Sequence, residues 1–332
     1  MPSSDATTPN YSRRIILLAV FIVVLFGGYS LGWFYVADRV REKIDTIVAN
    51  LDKAGIAVDC ANAEVRGYPF RIGVFCDDLD YGDERRGVFA TAGSLRSAAQ
   101  IYQPMHAVAE LDPPLRLTVP GVVPLWLDWD NLRSSVHIAT PLPERLSVEV
   151  EGMSGQTDPQ DDSETVSLFS AGNAQAHVRP NGADLDVAFS FSELEIDPEA
   201  VAGRALPVMA GSGDATVKDG LAALRSPRPG LRGRSFDIRS LDLSSGTAGI
   251  SVSGPVSVDA NGLVDATLTI RVRDPKTAAT LLATAFPEQK DNIQAGFAGL
   301  AVLGGDAALP LRIDKGKMTL GFIPLGRIEA MR

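Results

Sequence analysis

Two hydropathy regimes divide this chain, and the switch between them falls near Gly55. Residues 15–37 are 23 consecutive uncharged, mostly apolar positions. At ~1.5 Å per residue a helix of that length covers ~34 Å, enough to cross a ~30 Å hydrocarbon core. Across 36–51 the apolar residues Val36, Val40, Ile44, Ile47, Val48 and Leu51 recur at helical spacing between Arg39, Arg41, Glu42, Lys43 and Asp45. That spacing predicts that the helix runs on as an amphipathic stalk. Downstream the period becomes two. Leu115, Leu117 and Val119 alternate with polar residues, as do Leu146, Val148 and Val150, and Val123, Leu125, Leu127 and Trp129 repeat the pattern. Such alternation marks half-buried strands. The polar, acidic residues 152–164 read as a surface loop.

Three hairpins can be argued to their register. A two-residue turn at Asn181-Gly182 pairs Val178 with Leu185, Ala176 with Val187 and Ala174 with Phe189. On the other face it pairs Arg179 with Asp184 and His177 with Asp186. At Asn261-Gly262 a two-residue turn would set Val258 against Asp265. A three-residue loop, 260–262, with Gly262 in the left-handed conformation, instead opposes Val258 to Val264, Val256 to Ala266 and Val252 to Ile270. The third hairpin turns at Lys315-Gly316 and matches Ile313 with Met318, Leu311 with Leu320 and Leu309 with Phe322.

Two helices interrupt the strands. Asp274 suits an N-cap and Pro275 a first turn, with Ala278, Leu281, Leu282, Ala285 and Phe286 on one face. Pro287 ends that helix and starts a second, which carries Ile293, Phe297 and Leu300. Asp197-Pro198 also follows a hairpin, so the order hairpin then Asp-Pro occurs twice, a faint sign of internal duplication. The expected fold is mainly β, of the α+β kind. A transmembrane helix and stalk lead into an extended, curved antiparallel sheet with an apolar face and a C-terminal helical pair. The expected divisions are a cytoplasmic tail over 1–14, an anchor over 15–37, a stalk over 38–55 and an exported β-rich domain over 56–332. Candidates for the apolar face are Val178, Leu185, Val187, Phe189, Val252, Val256, Leu268, Ile270, Leu311, Ile313, Met318 and Leu320. That face is either covered by a second layer and the helices or left as a partly open trough that holds acyl chains.

Charge and cysteines place these elements. Arg13 and Arg14 precede the apolar run, which is expected to keep the N-terminus cytoplasmic and to place the rest on the far side of the membrane. Trp33, Phe34 and Tyr35 sit at the exit end, where amphipathic rings favour the headgroup layer. A cleaved secretory signal is the rival reading, against which stand the length of the run and its bulky end. Net charge is −10, and removing the tail's Asp5, Arg13 and Arg14 leaves −11, a poor match for nucleic acid. The only cysteines are Cys60 and Cys76. A hairpin turning at Gly67-Tyr68-Pro69 sets Arg66 opposite Phe70 and Cys60 opposite Cys76, suiting a disulfide worth about 3 kcal/mol. The same register opposes Phe70, Ile72 and Val74 to Arg66, Glu64 and Asn62, a mismatch that a bulge in the first strand repairs.

No catalytic constellation, cofactor motif or metal site emerges. His106, His137 and His177 are isolated in sequence, and His177 reads as a cross-strand partner of Asp186. Gly152-Met153-Ser154-Gly155 misses the nucleophile-elbow spacing, and Gly211-Ser212-Gly213 lacks the rest of a phosphate loop. Asp77, Asp78, Asp80 and Asp83 lack the spaced Gly and Glu of a calcium loop and read as a solvated strand end. Gly28 and Gly32 form a G-x-x-x-G pair that suits helix association. The motif Gly67-Tyr68-Pro69-Phe70-Arg71 is explained by its turn, with a recognition tip as the sharper alternative.

The anchor followed by Cys60, Gly67-Tyr68-Pro69-Phe70-Arg71 and Cys76 resembles the alphaproteobacterial family known as domain of unknown function 2125. The closing Leu309-Pro310-Leu311-Arg312-Ile313, Gly316, Leu320-Gly321 and Pro324-Leu325-Gly326 are similar too. That family has no assigned activity, so no catalytic residue carries over. More loosely, the anchor and amphipathic strands look like AsmA and translocation-module proteins, whose resemblance implies an apolar trough and lipid transport or envelope assembly. A trough of ~10 strands at ~4.8 Å would reach only ~50 Å, short for a bridge between membranes. The expected function is binding of lipid or lipoprotein acyl chains in envelope maintenance, without enzymatic activity. The alternative is a structural partner in an envelope complex, bound through an edge strand or the stalk.

Overall fold

The computed structural model describes residues 11–139, 143–158, 164–224, 230–303, 308–321 and 323–331. The segments expected as anchor and stalk are one helix, α1 (Tyr11–Lys53), because nothing between them breaks the backbone ladder. It stops at Gly55, whose φ of 78° is the left-handed value that closes a helix.

The chain then runs as an antiparallel meander in which each long strand pairs with the next. The first five long strands are each broken in two: β1 (Ile56–Cys60) and β2 (Glu64–Arg66), β3 (Arg71–Cys76) and β4 (Leu79–Asp83), β5 (Val88–Ala92) and β6 (Leu95–Gln100), β7 (Gln103–Leu111) and β8 (Leu115–Thr118), β9 (Leu125–Asp128) and β10 (Asn131–His137). Halves pair with halves, β1 with β4 and β2 with β3, then β3 with β6 and β4 with β5, and so on to β11 (Arg145–Thr157), which pairs with both β9 and β10. The breaks form a crease across the sheet, stitched by backbone bonds such as Ala61 N–H to Asp78 O, 3.0 Å, and Asp112 N–H to Ser94 O, 2.9 Å. The crease continues through Gly152, at φ 63°, and Glu193, at φ 53°. Trp129 is buried on it, its Nε1–H donating to Leu111 O at 2.9 Å.

Beyond β11 come β12 (Ser167–Asn181), β13 (Asp184–Ile196), β14 (Met209–Val217), the short helix α2 (Gly220–Leu224), β15 (Arg234–Ser245), β16 (Ala248–Val258) and β17 (Val264–Arg273). Helices α3 (Pro275–Ala285) and α4 (Lys290–Leu303) follow, then β18 (Ala308–Asp314), β19 (Lys317–Leu320) and β20 (Ile323–Arg327). The 20 strands make about fifteen positions along the sheet, roughly 70 Å at ~4.8 Å each, longer than the ~50 Å of the ten-strand expectation. Among the described residues the first and last strands do not pair, so the sheet is open.

Registers test the hairpin arguments one by one. Val258 faces Val264, Val256 faces Ala266 and Val252 faces Ile270, as expected. Ile313 faces Met318 and Leu311 faces Leu320, again as expected, while Phe322 lies outside the described residues. The β12–β13 hairpin differs. Gly182 and Ala183 are the turn, so Val178 faces Val187, Ala176 faces Phe189 and Arg179 faces Asp186. Gly182, at φ 64°, takes the first central position that favours glycine. The shift keeps every side chain on its expected face, so alternation alone could not detect it.

Two further expectations are corrected. Residues 152–157 are not loop but the end of β11, held between β9 and β12, whose ladders override the polar composition; 159–163 lie outside the described residues. Cys60 and Cys76 form the disulfide, with Cα atoms 5.2 Å apart, but are not ladder partners. Cys60 faces Leu79 and Cys76 faces Leu95, because the first strand breaks at 61–63. Val65 then faces Val74, Glu64 faces Phe75 and Arg66 faces Gly73, so the expected opposition of Phe70, Ile72 and Val74 to Arg66, Glu64 and Asn62 does not form. Asp274 caps α3, accepting from Thr277 N–H at 3.2 Å, whereas Asp197 starts only a single 3₁₀ turn, Pro198–Val201.

Candidate functional site

Cross-strand partners carry one apolar face through the second half of the sheet. Phe189 faces Gly213, Gly213 faces Leu241, Leu241 faces Val252 and Val252 faces Ile270. A parallel row joins Leu185, Val217, Phe236, Val256, Ala266, Ile313 and Met318, and a third joins Leu268, Leu311 and Leu320. With Val178 opposite Val187, the twelve face candidates share one side. Gly211 and Gly213 lie on this face of β14 rather than in a phosphate loop, with Ser212 on the other side between Ser190 and Asp242. A Cβ on Gly213 would lie 2.4 Å from the Phe189 ring and one on Gly211 2.5 Å from the Phe191 ring, so the glycines make room for the aromatics.

The face is unevenly covered. Around Val258, Val264, Ala266, Leu268 and Ile313 it forms a buried cluster, with Ile328 and Met331 packed against it. Elsewhere Phe189, Leu241, Leu243 and Ile250 keep 39–41% of their surface exposed. No large side chain is fully buried among the described residues. Helix α3 packs on β16 and β17, and under it lies an apolar groove of about 240 Å³, lined by Met209, Leu243, Ile250, Leu281, Leu282 and Phe297 among others. That is below the ~300–1,000 Å³ of a self-contained ligand pocket, so the groove is the end of the exposed face.

The Gly67-to-Arg71 motif forms the β2–β3 turn and docks on α1. Trp33 Nε1–H donates to Arg71 O at 2.9 Å, Ser30 Oγ and the Tyr68 hydroxyl share a hydrogen bond of 2.7 Å, and the Tyr29 hydroxyl donates to Pro69 O. Tyr68 stacks on Phe34 at 5.8 Å and meets Trp33 edge-on at 5.5 Å. Trp33 and Ala37 are buried by this contact, and α1 lies along β1 and β2 below it.

On the polar face, Asp186 is buried and accepts from the Thr216 hydroxyl at 2.7 Å, Arg179 at 3.1 Å and Arg239 at 3.2 Å. The Thr216 bond, aided by both guanidinium groups, lowers its pKa to about 2 against the opposing effect of burial. Arg239 also binds Asp214, which holds that carboxyl below its ordinary value. The three histidines are not isolated in space. His106 and His137 are ladder partners with stacked rings 5.9 Å apart, and they share a cavity of about 560 Å³ with Arg145 and Arg179. His177 lines the adjoining cavity and bonds Ser147 Oγ at 2.9 Å, not Asp186. Among the described residues no group of three or more His, Cys, Asp or Glu is placed to hold a metal ion. Of the acidic cluster, Asp83 is buried and accepts from Arg86 N–H at 3.1 Å, which fixes the β4–β5 turn.

A family model described as an uncharacterized protein conserved in bacteria (DUF2125) matches residues 33–329, from the docking Trp33 through the last strand. The chain belongs to the DUF2125 family. No curated protein matches it. In this DUF2125 chain, sequence reasoning placed the apolar face but missed the dock and the histidine cluster. Aromatic residues at both Tyr29–Phe34 and Tyr68–Phe70 were the available signal for the dock; the cluster joins three strands and left no local trace.

Proposed function

We propose that this is a bacterial inner-membrane protein, its N-terminus cytoplasmic and its sheet periplasmic, whose apolar face binds lipid or lipoprotein acyl chains in envelope maintenance. The observation that carries the reading is the exposure of that face: Phe189, Leu241, Leu243 and Ile250 stand open to solvent beside a groove lined almost wholly by apolar side chains. Water contact along such a strip costs free energy that an acyl chain relieves at about 25 cal/mol per Å². Helix α1 is long and apolar enough to span a bilayer, and its Arg13 and Arg14 favour a cytoplasmic start. The contacts of Trp33 with the β2–β3 turn support a retained anchor over a cleaved signal. The looser likeness to AsmA-type troughs fits the same reading, and the binding role needs no catalytic group. Docking of a protein on an edge strand has less support, since β1 and β2 lie along α1 and β20 carries Pro324 in an irregular pairing.

Native mass spectrometry of the full chain released from membranes in mild detergent tests the proposal. Wild type is expected to retain phospholipid or acyl adducts that Phe189→Glu and Leu243→Glu lose, while lipids around the anchor exchange equally in all three. Identical lipid content in wild type and variants, or none in wild type, overturns it.

A further inference from the structure

The β2–β3 turn reaches Ser30, seven residues inside the end of the apolar run at Ala37, or about 10 Å along the helix axis. Its neighbour along the same sheet edge is the β6–β7 turn, joined to it by Ile101 N–H donating to Phe70 O at 3.1 Å. The end of β10 is next, joined through Ile138 N–H to Met105 O at 2.7 Å. Among the described residues outside α1, the three most exposed large apolar side chains are Tyr102 at 73%, Phe70 at 70% and Met105 at 56%. All three stand on this one rim. Arg71 and His106 directly follow Phe70 and Met105 in the chain, His137 is the ladder partner of His106, and Arg145 lies opposite His137.

Resting on the reading of α1 as a membrane anchor, the geometry points to a second membrane contact. The rim formed by Phe70, Tyr102 and Met105 sits in the headgroup and upper acyl layer of the same bilayer that α1 crosses. Docking fixes its depth, because a turn bonded to Tyr29, Ser30 and Trp33 lies at the level of those residues. Apolar and aromatic tips backed by arginines are what that layer favours, the rings entering the lipid and the guanidinium groups of Arg71 and Arg145 reaching the phosphates. The β-sheet is thereby held edge-on to the bilayer, with the strand ends of its apolar face toward the lipid.

Photo-crosslinking of the full chain tests this, with benzoylphenylalanine replacing one residue at a time in vesicles of phosphatidylethanolamine and phosphatidylglycerol. Ile22 reports the anchor, Phe70 and Tyr102 the rim, and Val122, exposed in the β8–β9 turn at the opposite sheet edge, serves as the control. Phospholipid adducts at Ile22 and at either rim position, at least tenfold above Val122, support the inference. Adducts at Ile22 with none at Phe70 or Tyr102 overturn the rim while leaving the anchor standing. No adduct at Ile22 removes the anchor and the rim together, and a protein adduct in place of lipid at both rim positions makes the rim a protein interface and overturns the inference.

Discussion

Asp186 shows what a single polar-face residue contributes. Its pKa in the folded chain, about 2, lies below the ordinary value of 3.8 because Thr216, Arg239 and Arg179 stabilise the carboxylate. Stability from this group is therefore present above about pH 4 and is lost as the pH falls towards 2. Because both guanidinium groups are more than 40% exposed, solvent screening reduces the effect to about 1–2 kcal/mol. Asp186→Asn is expected to lower stability by that amount at pH 7 and to match wild type near pH 2, as read by urea unfolding across the range. At this scale the sequence was partly legible. Asp186 could be assigned to the polar face by alternation, but its partners Thr216 and Arg239 lie 30 and 53 residues away and left no mark in the local pattern.

At the scale of elements, the dock between α1 and the β2–β3 turn is the contact on which the placement of the sheet depends. Trp33→Ala removes a ring packed on Tyr68 and a donor to Arg71 O, a loss of about 2–3 kcal/mol for a large aromatic in a largely covered site. Hydrogen exchange in the full chain is expected to rise at least tenfold across 67–71, where Arg71 N–H is bonded to Gly67 O, with the Cys60–Cys76 bridge intact. Unchanged exchange would mean that the turn holds its shape without the helix. Hairpins at this scale were legible wherever one register alone buried the apolar residues, as at Val258 opposite Val264. They were not where two registers buried the same set, as at Gly182. The Cys60 register failed for a different reason: Asn62 takes the left-handed conformation, φ 53°, that breaks the strand, and a lone asparagine with no glycine or proline beside it is a weak turn signal in the sequence.

Across the whole molecule, each long strand, whole or broken in two, packs mainly on the long strands before and after it, so stability is passed along the sheet rather than pooled in one centre. In such quasi-one-dimensional architectures local free energies differ from end to end. Ile313→Ala, in the buried cluster near the C-terminus, costs about 2–4 kcal/mol there. Amide exchange is expected to quicken in β16 to β19 and to stay unchanged in β3 to β6; a uniform rise over the sheet would mean a single cooperative unit. The antiparallel sheet with one apolar face was legible from period-two alternation, whereas its openness was not, since alternation is the same in a covered and an uncovered sheet, and neither was the crease, which is drawn by several short breaks that look ordinary one at a time. The end of α1 lying along β1 and β2, gripped again from the side at Trp33, leaves no hinge between the helix and the first strands of the sheet. On the proposed reading of α1 as a membrane anchor, a change in bilayer thickness that tilts the helix would swing the strands docked on it as well, so the angle at which the oily side of the sheet meets the membrane would follow the lipid composition around it.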